Sequence, residues 1–325
     1  MNNFGVIGGG SWATAIVKMF NSNGITVNWW VRDEKQAEHI QTHGHNNKYL
    51  SAAELNSDYL KVSTDLNLVI ETSNVLIVAT PSAFIHRTLK NSAFNNKKIV
   101  SAVKGIIPET NEIPAEYFNT QFDVDLYDFA IICGPCHAEE VAMERLSYLS
   151  IGSQDEGFAE TLAAALSCRF IQCSTSNDVV GMEISAILKN VYAIASGIAH
   201  GLGYGDNFLS VLVSNAIQEI ERFIDHKYPV HRDVKLSAYL GDLLVTAYSP
   251  HSRNRRFGNM LGKGYSVDSI KQEMNMVAEG YFASACIEKM NENEIDLPIA
   301  NTVYQIMYES KNPRLAFKKL EKELS

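Results

Sequence analysis

Cysteine is scarce in this chain. Five Cys in 325 residues make no disulfide framework, so the fold must rest on burial, and reduced thiols in a cytoplasmic protein are expected. Long hydrophobic runs are missing as well. No stretch reaches the roughly 18 unbroken apolar residues of a membrane span, which argues against stable membrane insertion. The opening MNNFGVIGGGSW has no basic segment, long apolar run or small-residue cleavage site, so it does not read as a signal peptide. Positive charge is in short supply: 28 Lys and Arg against 37 Asp and Glu leave a net charge of −9. That excludes a general affinity for nucleic acid or anionic lipid, though a local basic pocket for a small anion remains open. Internal repeats and low-complexity tracts are also absent. What is left is an ordinary globular composition, and a length that fits two domains.

The first half alternates short β-rich runs with helical ones. Phe4–Ile7, Ile25–Val31, Val75–Thr80, Ile99–Val103, Phe129–Cys133, Leu149–Gly152 and Phe170–Gln172 read as strands. Several are continuously apolar, as expected when helices cover both sheet faces. Ser11–Ser22 has helical spacing and Gly24 is placed to stop it. This alternation predicts an α/β fold with an N-terminal Rossmann-type doubly wound parallel sheet. The texture changes near Asp178. Helical segments follow at about Gly181–Ala199, Leu209–His226, Asp233–Tyr248, Val267–Met274, Tyr281–Glu292, Ala300–Glu309 and Pro313–Leu324. The reading is therefore a nucleotide-binding domain over 1–180 and an all-helical domain over 181–325.

Phe4–Ile7 runs directly into Gly8-Gly9-Gly10-Ser11-Trp12-Ala13, a G-x-G-x-x-A at the start of a helix. The first Gly allows a tight turn. Gly10 lets the backbone approach a pyrophosphate, and Ala13 is small enough for helix and strand to pack closely. The open N–H groups of the helix start then face phosphates. At the end of the second strand stand Arg32 and Asp33. An acid here favours the ribose 2′-OH of NAD and an Arg accepts the 2′-phosphate of NADP, so the cofactor is NAD or NADP, with a lean to NADP or dual use.

Lys189 is the one formally charged side chain between Ile184 and Gly205, in ISAILKNVYAIASGIAHGLGYG. A helix apolar almost all round is buried, and burying an ammonium without purpose is costly. A desolvated lysine, its pKa lowered by burial and neighbouring cations, suits proton transfer to a ketone oxygen. Lys104 follows an apolar strand, at the end that faces the ligand crevice of a doubly wound sheet; it equally reads as a solvated strand-end lysine. Asp242 is an acid amid apolar residues, or else a helix N-terminal acid favoured by the dipole. Ser252-Arg253-Asn254-Arg255-Arg256 is a basic cluster in an acidic chain, read as a solvated turn or a phosphate pocket.

Gly8–Ala15 (GGGSWATA), Val103–Gly105, Gly134–Glu140 (GPCHAEE), Leu188–Val191 (LKNV), Gly201–Asn207 (GLGYGDN), Leu240–Leu243 (LGDL), Ser252–Gly258 (SRNRRFG) and Val277–Gly280 (VAEG) occur in one order along nearly the whole chain. In that order they resemble the bacterial NAD(P)-dependent glycerol-3-phosphate dehydrogenases. The resemblance implies interconversion of dihydroxyacetone phosphate and glycerol 3-phosphate in the cytoplasm by a homodimer, supplying phospholipid synthesis. It implies Lys189 as the catalytic general acid/base. Substrate contacts would fall on Lys104, Gly134, Cys136, Lys189, Asn190, Asp242, Ser252, Arg253 and Asn254. Cofactor contacts would fall on Gly8, Gly10, Ser11, Trp12, Arg32, Lys104, Ala138, Arg253, Val277 and Glu279. The chain departs from the family at Ala13, often Gly, and at Cys136, where Ser or Thr is usual. It departs again at Ser214-Asn215 and Ser237-Ala238-Tyr239.

Other signals compete. Cys133-Gly134-Pro135-Cys136 is a C-x-x-C, but Ile132 stands where thioredoxins carry an aromatic residue; oxidation to a disulfide stays open. His39, His43 and His45 have a spacing that binds zinc elsewhere, yet lack a companion ligand and read as surface histidines, with no metal expected. His200 reads as a packed or hydrogen-bonded core residue. The alternative functions are another two-domain dehydrogenase of 6-phosphogluconate or 3-hydroxyacid type, or a non-catalytic NAD(P) sensor.

Overall fold

The computed structural model describes residues 3–274, 278–291 and 295–325. Its chain divides into two compact units. One runs to Val103 and includes Glu112–Val179; the other holds Lys104–Asn111 together with Val180–Ser325.

In the first unit, strands β1 (Phe4–Ile7), β2 (Val27–Trp30), β3 (Leu60–Ser63), β4 (Val75–Val78), β5 (Lys98–Ser101), β6 (Phe129–Cys133), β7 (Ser147–Ser153) and β8 (Ile171–Ser176) form one sheet. The order is β3-β2-β1-β4-β5-β6-β7-β8. The chain winds outward in both directions from β1 and β4, the doubly wound pattern read from the sequence. β3 was not among the expected strands; its four residues, LKVS, alternate too briefly to stand out. A further correction concerns direction. β7 pairs antiparallel with β6, and β8 follows β7 in parallel, so the sheet is mixed. The cause lies in the connection: its only helix, Ala138–Ala142, is one turn long and too short to carry the chain back along the sheet for a parallel return.

Among the described residues, helices make up the second unit beyond Val180. Its axis is the helix Val179–Leu202, in which every residue from Gly181 to Ala199 is buried. Length and hydropathy alone would let this helix cross a membrane, but 94% of its most apolar window is buried inside the protein. It is a core helix. Two extra helices appear relative to the sequence reading. The stretch after Asp233 resolves into a π-helical turn, Ser237–Gly241, followed by the helix Asp242–Tyr248. The basic cluster is the start of a helix, Arg253–Gly262, capped by the Ser252 side chain accepting from the Arg255 N–H. His200 does hydrogen-bond, through Nδ1 to Asn259, but it is exposed rather than packed in the core.

A buried carboxylate ties the axis to its neighbours. The helix Pro298–Tyr308 begins on Leu297, which offers no side-chain cap. Glu219, on the helix Asp206–Lys227, supplies one instead. Its oxygens accept from the Ile299 N–H at 2.7 Å and the Ala300 N–H at 3.2 Å, and from the Tyr192 hydroxyl of the central helix at 3.1 Å. Burial pushes the Glu219 carboxyl up to about 7 against the pull of these donors and of Arg222. A folded-state pKa above the unfolded value stabilises the protein at low pH, and that contribution is lost as pH rises through the folded value. Wild type therefore loses roughly 2–3 kcal/mol from this group between pH 5 and pH 8. Urea unfolding at both pH values checks this: over that range the Glu219→Gln variant should gain that amount relative to wild type.

Candidate functional site

The glycine turn of the first unit is built to present N–H groups. β1 ends at Ile7 and the helix Ser11–Ser22 starts four residues on, with Gly10 as an N-cap lacking any side-chain cap. Gly8 sits at φ +140°, and a Cβ there would meet the Ala79 carbonyl oxygen at 2.7 Å, so only glycine fits. A Cβ at Gly10 would meet nothing within 4 Å, the open approach that a pyrophosphate needs. The turn's carbonyls are each tied back by a donor. Trp29 Nε1 donates to Gly8 O at 2.6 Å, Gln36 Nε2 and Asn46 Nδ2 donate to Gly9 O at 2.7 and 3.1 Å, and Thr14 Oγ1 donates to Gly10 O at 3.0 Å. With their acceptors consumed, the turn and the uncapped helix start carry a net excess of donors, which suits phosphate. Ser11 and Trp12 lie in the first helical turn, half-buried, and Ala13 is fully buried against the sheet.

At the end of β2, Asp33 is already employed. Its carboxylate caps the helix Glu34–His43 by accepting from the Gln36 N–H at 2.8 Å. That bond holds its pKa below the usual carboxylate value. Arg32 beside it is exposed. Gly134, Cys136 and Ala138 follow β6; Gly134 is at φ +110° and all three are buried. All five cysteines are thiols, Cys133 and Cys136 among them.

The second unit brings together the charged residues singled out in the sequence. Lys189 forms an ion pair with Asp242, and both side chains are almost fully buried, at 4% and 2% exposure. Lys104 lies on the other oxygen, its Nζ 3.9 Å from Asp242 Oδ2. Two ammonium groups thus share one carboxylate, a site with one excess positive charge in an otherwise acidic chain. Neighbouring cations were expected beside Lys189; the structure places Lys104 near it and adds a carboxylate, Asp242, as its ion-pair partner.

Asn190 and Asn254 frame this group. Asn190 Nδ2 donates to the Lys104 carbonyl at 2.7 Å and the Ala186 carbonyl at 3.2 Å. Asn254 Nδ2 donates to Asn190 Oδ1 at 2.8 Å, while Asn254 Oδ1 accepts from the Gly280 N–H at 2.9 Å. One chain of amides therefore fixes the Lys104 backbone, the central helix, the start of Arg253–Gly262 and the start of Glu279–Asn291. Both amides are largely consumed in this positioning. Ser252 is buried at the helix start, Arg253 is exposed and Glu279 half-exposed. Val277 lies outside the described residues.

Close backbone approach sets the position of the Arg253–Gly262 helix. Gly197 and Gly201 of the central helix face Gly258 and Gly262. A Cβ on Gly197 would run into the Arg255 carbonyl, one on Gly258 into the Ile194 carbonyl, and one on Gly262 into the Ile198 carbonyl. Both helices thus carry Gly-x-x-x-Gly at their crossing. The sequence reading did not pick out these glycines, nor Thr14, Trp29, Gln36 and Asn46 behind the nucleotide turn. The paired four-residue glycine spacing was a legible signal; Trp29, Gln36 and Asn46 had none, because each serves a backbone carbonyl more than 20 residues away in sequence, while Thr14 bonds back one turn to Gly10 O.

Comparison with known proteins agrees with this geometry. The family model described as NAD-dependent glycerol-3-phosphate dehydrogenase N-terminus matches residues 3–159, and its C-terminus counterpart matches residues 178–318. A glycerol-3-phosphate dehydrogenase [NAD(P)+] of Halothermothrix orenii is 34% identical, covering 95% of this chain and 91% of that protein. One of Macrococcus caseolyticus is 32% identical, covering 94% and 93%. Among solved structures, the chain is similar to a glycerol-3-phosphate dehydrogenase of Coxiella burnetii, with TM-score 0.91, 27% identity and 98% of each chain covered. A ketopantoate reductase from Ralstonia eutropha, at TM-score 0.60 and 12% identity, shares the fold alone.

The glycine crossing carries a direct test. Gly258→Ala gains helix propensity of about 1 kcal/mol, yet its methyl group meets backbone that cannot move aside cheaply. The net result should be a loss of about 1–3 kcal/mol in urea unfolding.

Proposed function

The chain belongs to the NAD-dependent glycerol-3-phosphate dehydrogenase family and interconverts dihydroxyacetone phosphate and sn-glycerol 3-phosphate with NAD(P)H, and from that premise we propose how its own residues carry the reaction. The observation that supports the reading is the buried Lys189–Asp242 pair with Lys104 alongside. The ketone oxygen is held by the Lys189 ammonium, which gives up a proton as negative charge develops on that oxygen. Asp242 anchors Lys189 in place and accepts a hydrogen bond from a substrate hydroxyl. Lys104 adds the second cation that offsets substrate charge. In the reverse direction Lys189 takes the proton back. When bound, reduced nicotinamide supplies the hydride that C2 receives.

The substrate phosphate is held by Ser252, Arg253 and Asn254 at the start of Arg253–Gly262, where helix N–H groups and an Arg fork meet an anion well. We assign Gly134 and Cys136 to substrate binding, and Gly8, Gly10, Ser11, Trp12 and Ala138 to cofactor binding. By the resemblance to the family, Lys104, Arg253, Val277 and Glu279 are assigned to cofactor binding as well. We read the protein as a cytoplasmic homodimer that feeds phospholipid synthesis.

Because Asp33 is committed to capping, Arg32 is the residue free to read the ribose, and this supports use of NADPH. Arg32→Ala should lower kcat/KM for NADPH by about 10-fold or more while sparing NADH, since a charge-assisted contact to phosphate contributes about 1.5–3 kcal/mol. Following NADH and NADPH absorbance with dihydroxyacetone phosphate measures both arms. The central test is Lys189→Ala. Its kcat should fall by about 10²–10⁴-fold with cofactor affinity retained. Wild-type turnover in that variant would refute Lys189 as the proton donor.

A further inference from the structure

The first unit carries a group of side chains that the reaction does not use. His39 lies on the helix Glu34–His43, His43 ends that helix, and His45 follows Gly44, which reverses the chain at φ +65°. The turn folds His45 back onto the helix. The Nε2 atoms of His39 and His45 stand 3.1 Å apart, with their rings edge to face. His43 stacks on the other side of the His39 ring, at 4.3 Å between centroids.

Hydrogen bonds fix which nitrogens carry protons. His45 Nδ1 lies 3.2 Å from the His43 carbonyl, and His43 Nδ1 lies 3.2 Å from the His39 carbonyl. A carbonyl only accepts, so both Nδ1 atoms are protonated and the lone pair of His45 is on Nε2. A backbone carbonyl on the far nitrogen is the outer-shell arrangement that orients metal-bound imidazoles. Two imidazole nitrogens on a tetrahedral zinc at 2.0–2.1 Å stand about 3.3 Å apart, close to the separation seen here.

We propose that His39 and His45 form a two-histidine site for a divalent transition metal of the imidazole-binding kind, zinc above all. Binding replaces the Nε2–H···Nε2 contact. The His39 proton moves to Nδ1 and both Nε2 lone pairs go to the metal, so no net proton is lost from neutral rings. Water fills the remaining positions: among the described residues no group of three His, Cys, Asp or Glu is arranged around a single ion. The site is therefore an exchangeable one.

Its position gives it a consequence. Asn46, next to His45, donates to Gly9 O and to Thr14 Oγ1, and Gln36, one turn before His39, donates to Gly9 O and to Asn46 Oδ1. A metal bridging His39 and His45 clamps the two segments that hold the carbonyls of the nucleotide turn. Metal binding then stiffens the turn in its phosphate-ready form and tightens the dinucleotide.

The test uses tag-free, chelator-treated protein titrated calorimetrically with zinc. Wild type and His43→Gln should take up one equivalent with affinities within about 3-fold of each other. His39→Gln and His45→Gln should each lose at least about 10-fold. Absence of saturable binding in wild type, or wild-type affinity in either the His39→Gln or the His45→Gln variant, would overturn the site. Fluorescence titration of NADPH with and without saturating zinc reads the coupling: tighter binding with zinc in wild type and no change in His45→Gln is expected. Zinc-loaded wild type with unchanged NADPH affinity would overturn the clamp.

Discussion

The ion pair between Lys189 and Asp242 is the constraint on which the second unit is organised. A lysine on a helix buried all round cannot stay charged unless a carboxylate meets it, and desolvating both groups is repaid only by close geometry and further hydrogen bonds. Here Asp242 meets Lys189 in a buried ion pair, with Lys104 on its other oxygen. Asp242 is delivered at the junction of a π-helical turn and an α-helix, an irregularity of the kind found at functional sites. Lys104, whose segment packs with the second unit although it follows a strand of the first, adds the charge that makes the group net positive. An anionic substrate with an oxygen gaining negative charge completes the electrostatics that the protein leaves one charge short.

Backbone polar groups are managed by the same logic in both units. Behind the glycine turn, Trp29, Gln36, Asn46 and Thr14 consume carbonyls so that donors predominate at the start of the helix that follows. Around Lys189, Asn190 and Asn254 bind the Lys104 carbonyl and the Gly280 N–H, holding four segments at fixed distances. Glycines at the crossing of the central helix and Arg253–Gly262 then let the basic segment lie close against the Lys189 helix. Preorganisation of this sort is what lets a charge act on a transition state without rearrangement.

Much of this was legible in the residues. The strand–Gly–helix opening and the lone Lys in an apolar helix each express a local rule, and each led to the right element. The parallel expectation failed at β7 because direction depends on the length of a connection, which periodicity does not report. The Arg253–Gly262 helix was hidden because its two glycines lower helix propensity; close packing of those glycines against the central helix overrides that cost. The amide chain through Asn190 and Asn254 was invisible because it links residues that meet only in the fold. The same holds for His39 and His45, whose spacing read as a polar loop until Gly44 turned one ring onto the other.

A kinetic double-mutant cycle on Lys189→Met and Asp242→Asn tests the central claim most directly, with kcat for dihydroxyacetone phosphate reduction as the readout. Residues that act as one unit are strongly non-additive. If Asp242 acts on the chemical step by holding Lys189, its contact to the substrate hydroxyl showing in KM, the double variant should be no slower in kcat than Lys189→Met alone, within a few-fold. Losses that multiply would show that Asp242 and Lys189 act separately, and would contradict the account.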